Sequence, residues 1–117
     1  MIYELREYVA HENAVQQMHD RFDTWTLPLF ERHGLDVVGF WVDEQTPNHI
    51  LYLLQFPDAG AQKRAWEGFK GDADWIRAKA DSESAGPIVA QMTTRALIPV
   101  PYWPAEPATD DEGRQLP

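Results

Sequence analysis

The 117-residue chain contains no cysteine, which excludes disulfides, thiolate nucleophiles and cysteine-based metal sites. Basic residues are also few: 10 Lys and Arg stand against 19 Asp and Glu, so the net charge is −9. Nucleic acids and anionic membranes attract basic surfaces, so neither is an expected partner. No apolar run approaches the roughly 18 residues of a membrane span. The N-terminus lacks the basic and apolar regions of a signal peptide, and we therefore expect a cytoplasmic location.

Aromatic residues, in contrast, are abundant, with five Trp, five Phe and four Tyr. These side chains are large, and most of them must be buried somewhere. Their number exceeds what the core of so short a chain needs. The excess predicts an interface or a pocket lined by aromatic rings.

The order of elements is predicted from hydrophobic periodicity and from turn residues. We expect strands at 2–9, 35–43, 49–56 and 88–98, and a long helix at 13–33. Two more helices are expected, one capped by Asp58 and ended by Gly71, the other beginning at Asp72 or Asp74. Within the long helix Pro28 predicts a bend or local break, because proline cannot donate a helical hydrogen bond. Gly34 is the expected left-handed C-cap.

This β-α-β-β-α-(α)-β order is that of the split βαβ, ferredoxin-like fold. It predicts an α+β protein with a four-stranded antiparallel sheet and helices on one face. The second and third strands are apolar on both faces. We place Val37 and Trp41 on one face of the second strand and Val38, Phe40 and Val42 on the other. Because helices cover only one face, the other needs a second cover, and we expect sheet-to-sheet pairing of two copies as a dimeric α+β barrel.

One domain is expected over 1–104. The remaining residues, 105–117, form an acidic tail that follows several prolines, and composition predicts disorder there.

Several segments together resemble the NIPSNAP family. They are YELREY at 3–8, LPLFERHGLDVVGFW at 27–41, NHILYLLQF at 48–56, DADW at 72–75 and the Pro-Tyr-Trp-Pro at 101–104. The resemblance spans about residues 2–104 and implies the dimeric α+β barrel superfamily. That superfamily includes cofactor-independent monooxygenases, isomerases, dehydratases and haem enzymes, so the resemblance by itself defines no reaction.

Two residues are candidates for catalysis. Arg6 shares a strand face with Glu4 and could clamp a carboxylate or phenolate in a cavity, or form an internal salt bridge. His33 lies in the family-like ERHG segment and could act as a general base, or stabilise the negative end of the helix dipole. The chain has no HxxxH or HExxH spacing, and we predict no metal site.

Four aromatic residues are candidates for ligand binding: Trp41, Tyr52, Trp66 and Trp75. They could line a pocket for a planar molecule, and their spacing equally fits core and dimer packing. We expect a homodimer that binds a small apolar or aromatic molecule and needs no cofactor. As an enzyme it would perform proton transfer or cofactor-free oxygenation of an aromatic or carbonyl compound. A non-catalytic interaction module and a haem-binding barrel are the alternatives.

Overall fold

The computed structural model describes residues 1–103, whose strands form one antiparallel sheet. The sheet contains β1 Ile2–Ala10, β2 Asp36–Val42, β3 His49–Phe56 and β4 Val89–Leu97. Their spatial order is β2-β3-β1-β4, which is the predicted ferredoxin-like arrangement. The α+β class is thereby confirmed, whereas the prediction for 105–117 lies outside the described residues.

The first helical run is continuous but changes its geometry in the middle. A short 3₁₀ turn at Glu12–Ala14 leads into α1 Val15–Arg21, a π-turn at Phe22–Thr26 and then α2 Leu27–His33. Pro28 is the second residue of α2, and in a regular helix its ring would collide with the carbonyl of residue 24. That residue lies inside the π-turn, so the predicted local break at the proline takes the form of a widened turn.

The helix ends follow the capping residues that the sequence indicated. Gly34 closes α2 in the left-handed region, with a φ of 79°. Asp58 begins α3 Ala59–Gly71, and its side chain accepts a hydrogen bond from the backbone N–H of Ala61 at 2.8 Å. Asp72 begins α4 Ala73–Ser82 and accepts from the backbone N–H of Asp74, also at 2.8 Å.

The helices cover one face of the sheet, and the core lies between them. Strand β3 shows this most clearly, because its residues alternate between buried and half-buried along the whole strand. The fully buried set is Ile50, Tyr52, Leu54 and Phe56.

The predicted faces of β2 were wrong at Val37. Its register with β3 shifts between Val37 and Gly39, so that Val37 pairs with Leu54 and Phe40 with Tyr52. A bulge adds one residue to a strand, so the alternation of side chains between the two sheet faces shifts by one residue there. Val37 therefore lies on the helix-covered face together with Phe40, not with Trp41.

The opposite side of the sheet, which we call the open face, has no helix over it. Its apolar side chains come from all four strands and include Leu5, Val9, Trp41, Leu51, Leu53 and Leu97. Glu7 and His49 contact each other among them. Trp41 is 53% exposed there. The apolar second face that was predicted from the alternation is thus present. Among residues 1–103, no helix is both long and apolar enough to cross a membrane.

Candidate functional site

A cleft of about 690 Å³ lies between the helix-covered face of the sheet and the helices. Aromatic rings form much of its wall, and they are Tyr8, Phe22, Trp66, Phe69 and Trp75. Four cationic side chains reach it as well, namely Arg6, Arg21, Lys70 and Lys79. This combination of flat apolar surface and positive charge is typical of sites for planar, acidic molecules.

Glu4 lies at one end of the cleft and holds two of its lining residues, Arg6 and Trp66, in place. Its side chain is on the helix-covered face of β1, and the residue is only 3% exposed. One carboxylate oxygen accepts hydrogen bonds from Gln62 Nε2 at 2.7 Å and Trp66 Nε1 at 2.9 Å, and the other accepts from Arg6 Nε at 2.5 Å. Burial alone would raise the pKa of Glu4, but these three donors outweigh it and lower the pKa. These contacts favour the charged form of Glu4, which holds both Arg6 and Trp66 in place.

Arg6 lies flat against an aromatic ring. Its guanidinium carbon is 3.9 Å from the ring centroid of Trp66, which is a cation–π contact. Nη1 donates to the Tyr8 hydroxyl at 3.1 Å and contacts Met92 Sδ at 3.6 Å. Within residues 1–103 no hydrogen bond is made by Nη2, so this nitrogen is available to a molecule in the cleft. Burial opposes the charge of Arg6, but the nearby tyrosine hydroxyls and Glu4 outweigh burial and raise its pKa.

Two tyrosine hydroxyls extend this network into the core. Tyr8 and Tyr52 are joined by an O···O contact of 3.0 Å, and Tyr52 is completely buried. Burial, together with its coupling to Tyr8, raises the pKa of Tyr52 well above its ordinary value, so its hydroxyl keeps its proton. Either hydroxyl can donate in this contact. The described residues offer the buried Tyr52 proton Tyr8 as its acceptor, which favours donation from Tyr52 to Tyr8.

This direction of donation determines what Tyr8 can do. Its oxygen accepts from both Tyr52 and Arg6, and its own O–H then remains to be donated into the cleft. Tyr8 O–H and Arg6 Nη2 are thus two neighbouring donors with no acceptor from the described residues. Together they can bind a carboxylate, a carbonyl oxygen or a developing oxyanion.

The structure brings three of the predicted site residues to the cleft, since Arg6, Trp66 and Trp75 all line it. Tyr52 lies directly beneath Tyr8, where it supports the site without lining it. Trp41 lies on the open face, away from these residues. Whether any of them acts on a ligand stays a prediction.

His33 lies elsewhere, at the C-terminal end of α2. Its Nε2 is 2.6 Å from Asp72 Oδ2, and Arg32 Nη1 donates to the same carboxylate oxygen at 2.9 Å. The ring also packs closely on Gly68, where an added Cβ would lie 2.7 Å from Nδ1. His33 therefore ties α2 to α3 and to the start of α4. Its catalytic role stays a prediction, and the structure does not bring it to Arg6.

Most residues that line the cleft were not predicted as site residues, and Tyr8, Arg21 and Thr26 are among them. Tyr8 could have been found, because it is two residues after Arg6 and so shares its strand face. Arg21 immediately precedes the π-turn and Thr26 ends it, and Pro28 predicted a local break without indicating this geometry. Among residues 1–103 no histidine lines the cleft and no group of three His, Asp or Glu is placed to hold a metal ion. The cleft thus lacks a histidine that could serve as an axial haem ligand.

The fold and cleft define a ferredoxin-like α+β protein with a cationic, aromatic site between sheet and helices. The chain belongs to the NIPSNAP family, whose family model matches residues 3–104. A comparison with curated proteins finds no match.

Solved structures share the fold at low identity. A NIPSNAP-like domain protein from Burkholderia xenovorans is 18% identical, with a TM-score of 0.77 over 95% of this chain and 96% of the other. A NIPSNAP family protein from Agrobacterium tumefaciens is 13% identical, with a TM-score of 0.78 over 90% and 98%. An antibiotic biosynthesis monooxygenase is 16% identical, with a TM-score of 0.59 over 86% and 100%.

The contact between His33 and Asp72 predicts a specific dependence of stability on pH. The hydrogen bond from His33, the backbone N–H of Asp74 and Arg32 lower the pKa of Asp72 from 3.8 to about 2. A carboxyl group whose pKa is lower in the folded state stabilises that state above the unfolded pKa, and the contribution is lost as the pH falls through the folded pKa. Asp72→Asn keeps an N-cap acceptor but removes the charge. The stability of the wild type should therefore fall more steeply than that of Asp72→Asn between about pH 4 and pH 2.

Urea unfolding at several pH values measures this difference directly. Asp23→Asn, which removes an exposed carboxylate from the π-turn, is the charge-matched control and should follow the wild type. Parallel curves for the wild type and Asp72→Asn would show that the ionised carboxylate of Asp72 does not stabilise the fold.

Proposed function

We propose that this protein is a homodimer that binds a small planar aromatic molecule bearing a carboxylate or another oxygen acceptor. The observation that carries the proposal is the arrangement at Arg6. Its guanidinium lies on the Trp66 ring and is fixed by Glu4, and it lines the cleft with one nitrogen that has no acceptor among the described residues. Arg6 Nη2 and the Tyr8 hydroxyl would hold the oxygen acceptor, while the aromatic wall would hold the ring.

The charges around the cleft support an acidic ligand. Its lining carries four cationic side chains and one carboxylate, Glu83, although the whole chain has a net charge of −9. Even when the buried Glu4 is included, positive charge prevails at this site. A cleft lined mainly by charges of one sign concentrates the electrostatic field and raises the local concentration of ligands of opposite charge.

The same two donors suit a reaction in which negative charge develops on oxygen. Donors already fixed in place stabilise an enolate or phenolate more than its neutral precursor, which lowers the barrier to its formation. Proton transfer and cofactor-independent oxygenation of an electron-rich substrate both pass through such an anion. The fold shared with an antibiotic biosynthesis monooxygenase agrees with this chemistry by analogy of fold alone.

The homodimer is proposed from the open face. Leu5 lies opposite Leu53 there, and Trp41 lies opposite Leu51, in the registers of β1 and β2 with β3. The contact between Glu7 and His49 separates these residues from Val9. An apolar patch on a sheet is costly to leave in water. A second copy of the same face would cover it, leaving the cleft on the far side of each sheet free for its ligand.

Ligand binding is tested with 2-naphthoate, a planar aromatic acid, and with 2-naphthamide, its uncharged analogue. Titration calorimetry should show that the wild type binds the acid at least 10-fold more tightly than the amide. Arg6→Met alone would leave Glu4 buried without its cation, which costs about 3–5 kcal/mol in comparable pairs. The informative variant is therefore Glu4→Gln/Arg6→Met, and it should lose the preference for the acid.

Arg95→Met is the matched control, because Arg95 pairs with Leu5 on the other side of the sheet and is exposed. It also removes one arginine, and although it lowers the net charge by one while the double variant leaves the net charge unchanged, it should retain the preference. If the wild type binds neither compound, or if Glu4→Gln/Arg6→Met folds and binds the acid as before, the proposed site is wrong.

The oligomeric state is tested by light scattering coupled to size-exclusion chromatography. The wild type should elute with the mass of a dimer, and Leu53→Asp should elute as a folded monomer because it places a charge in the centre of the open face. Ile76→Asp introduces the same charge at an exposed apolar residue of α4 and should remain dimeric. A monomeric wild type, or a dimer unaffected by Leu53→Asp, would refute pairing through the open face.

A further inference from the structure

The aromatic wall of the cleft has a guanidinium at each end. Trp66 is followed by Phe69, at a centroid distance of 5.8 Å, and Phe69 by Trp75, at 4.6 Å. Arg6 lies on Trp66, and the guanidinium carbon of Arg21 lies 5.4 Å from the ring centroid of Trp75. Three rings in contact therefore separate the two arginines, and the site proposed above uses the charge of Arg21 but none of its N–H groups.

At its end of the row of rings, the positive charge of Arg21 has a nearby carboxylate, and most of its N–H groups are unused by the described residues. The residue is 7% exposed. Its Nη1 donates to Ser82 Oγ at 3.2 Å and is 3.6 Å from Glu83 Oε1. Within residues 1–103 its remaining N–H groups make no hydrogen bond. A guanidinium has five N–H donors, so most of its binding capacity is unused.

Thr26 provides a second, independent observation at the same end. It is 3% exposed and lines the cleft, and its hydroxyl is buried without a hydrogen-bond partner among the described residues. Hydrogen bonds in a π-turn join residues five apart, so Thr26 lies one turn beyond Arg21. A buried hydroxyl without a partner destabilises the folded protein, and a ligand that bonds to it could offset that cost.

We infer that Arg21 and Thr26 form a second polar subsite, so that the cleft takes an aromatic molecule with polar groups at both ends. This inference rests on the proposed function, because the first end of the ligand is the acid held by Arg6. The rings of Trp66, Phe69 and Trp75 contact the body of the ligand. A second oxygen, as a hydroxyl or carboxylate, meets the free N–H groups of Arg21. The Thr26 hydroxyl, which the free protein covers almost completely, becomes its second partner when the ligand binds. The expected class is a hydroxy acid or diacid of a fused two- or three-ring system.

The test compares 2-naphthoate with 6-hydroxy-2-naphthoate and 2,6-naphthalenedicarboxylate by titration calorimetry. The wild type should bind at least one of the two bifunctional compounds about 10-fold more tightly than 2-naphthoate, as one added hydrogen bond to a charged group warrants. Thr26→Val preserves the shape of the side chain but removes the hydroxyl. It should reduce this gain, measured against 2-naphthoate in the same variant, several-fold, and Thr26→Ser should retain the gain.

Thermal unfolding of the free protein separates ligand binding from a structural role. Because the hydroxyl has no partner in the protein, Thr26→Val should keep or raise the unfolding temperature. A lowered temperature would mean that the hydroxyl supports the fold, and the inference would be wrong. The inference also fails if 2-naphthoate binds in the Arg6-dependent way but the second polar group adds no affinity, or adds it equally in Thr26→Val. If no acid binds at all, the failure lies with the proposed function.

Discussion

The buried carboxylate of Glu4 is the interaction on which the site depends. It lies in the strand next to the centre of the sheet, and its three hydrogen bonds come from its own strand and from α3. An unpaired carboxylate at this depth would be strongly destabilising, so the guanidinium and indole must stay where they are. Glu4 thus converts two mobile side chains, Arg6 and Trp66, into a fixed cationic and aromatic surface at one end of the cleft.

Tyr52 shows how the core and the cleft share one network. Its ring stacks on Phe40 at a centroid distance of 4.6 Å, which holds it in the centre of the helix-covered face. Its hydroxyl is directed to Tyr8, and Tyr8 in turn meets Arg6. Packing of the core therefore holds one end of a hydrogen-bond network in place, and the other end of that network lies at the cleft.

Local patterns in the sequence were sufficient to predict the fold. Strict alternation in β3, the capping aspartates Asp58 and Asp72 and the C-cap Gly34 each depend on neighbours a few residues away. The site was predictable only where the same local rule applied, as for Arg6 and Glu4 on one face of β1. The bulge at Val37 exchanged the two faces of β2 at that point. Arg21 and Thr26, which lie at the two ends of the π-turn, line the cleft. The bulge and the placement of these residues depend on tertiary packing, which local sequence patterns do not specify. His33 was chosen as a catalytic candidate because it lies in the family-like ERHG segment. The packing of α2 on α3 instead places it beside Gly68 and Asp72, away from the cleft.

The central claim is that the cleft at Glu4, Arg6 and Trp66 is the binding site, and the indole N–H signals in a two-dimensional ¹H–¹⁵N NMR spectrum test it most directly. The chain has five tryptophans, and among those that the structure describes Trp66 and Trp75 line the cleft while Trp41 lies on the open face. On titration with 2-naphthoate, the Trp66 signal should move most and saturate, because its N–H bonds the carboxylate that holds Arg6. The Trp75 signal should follow it, and the Trp41 signal should stay in place. A saturable shift confined to Trp41, or a bound ligand that moves neither Trp66 nor Trp75, would contradict the account.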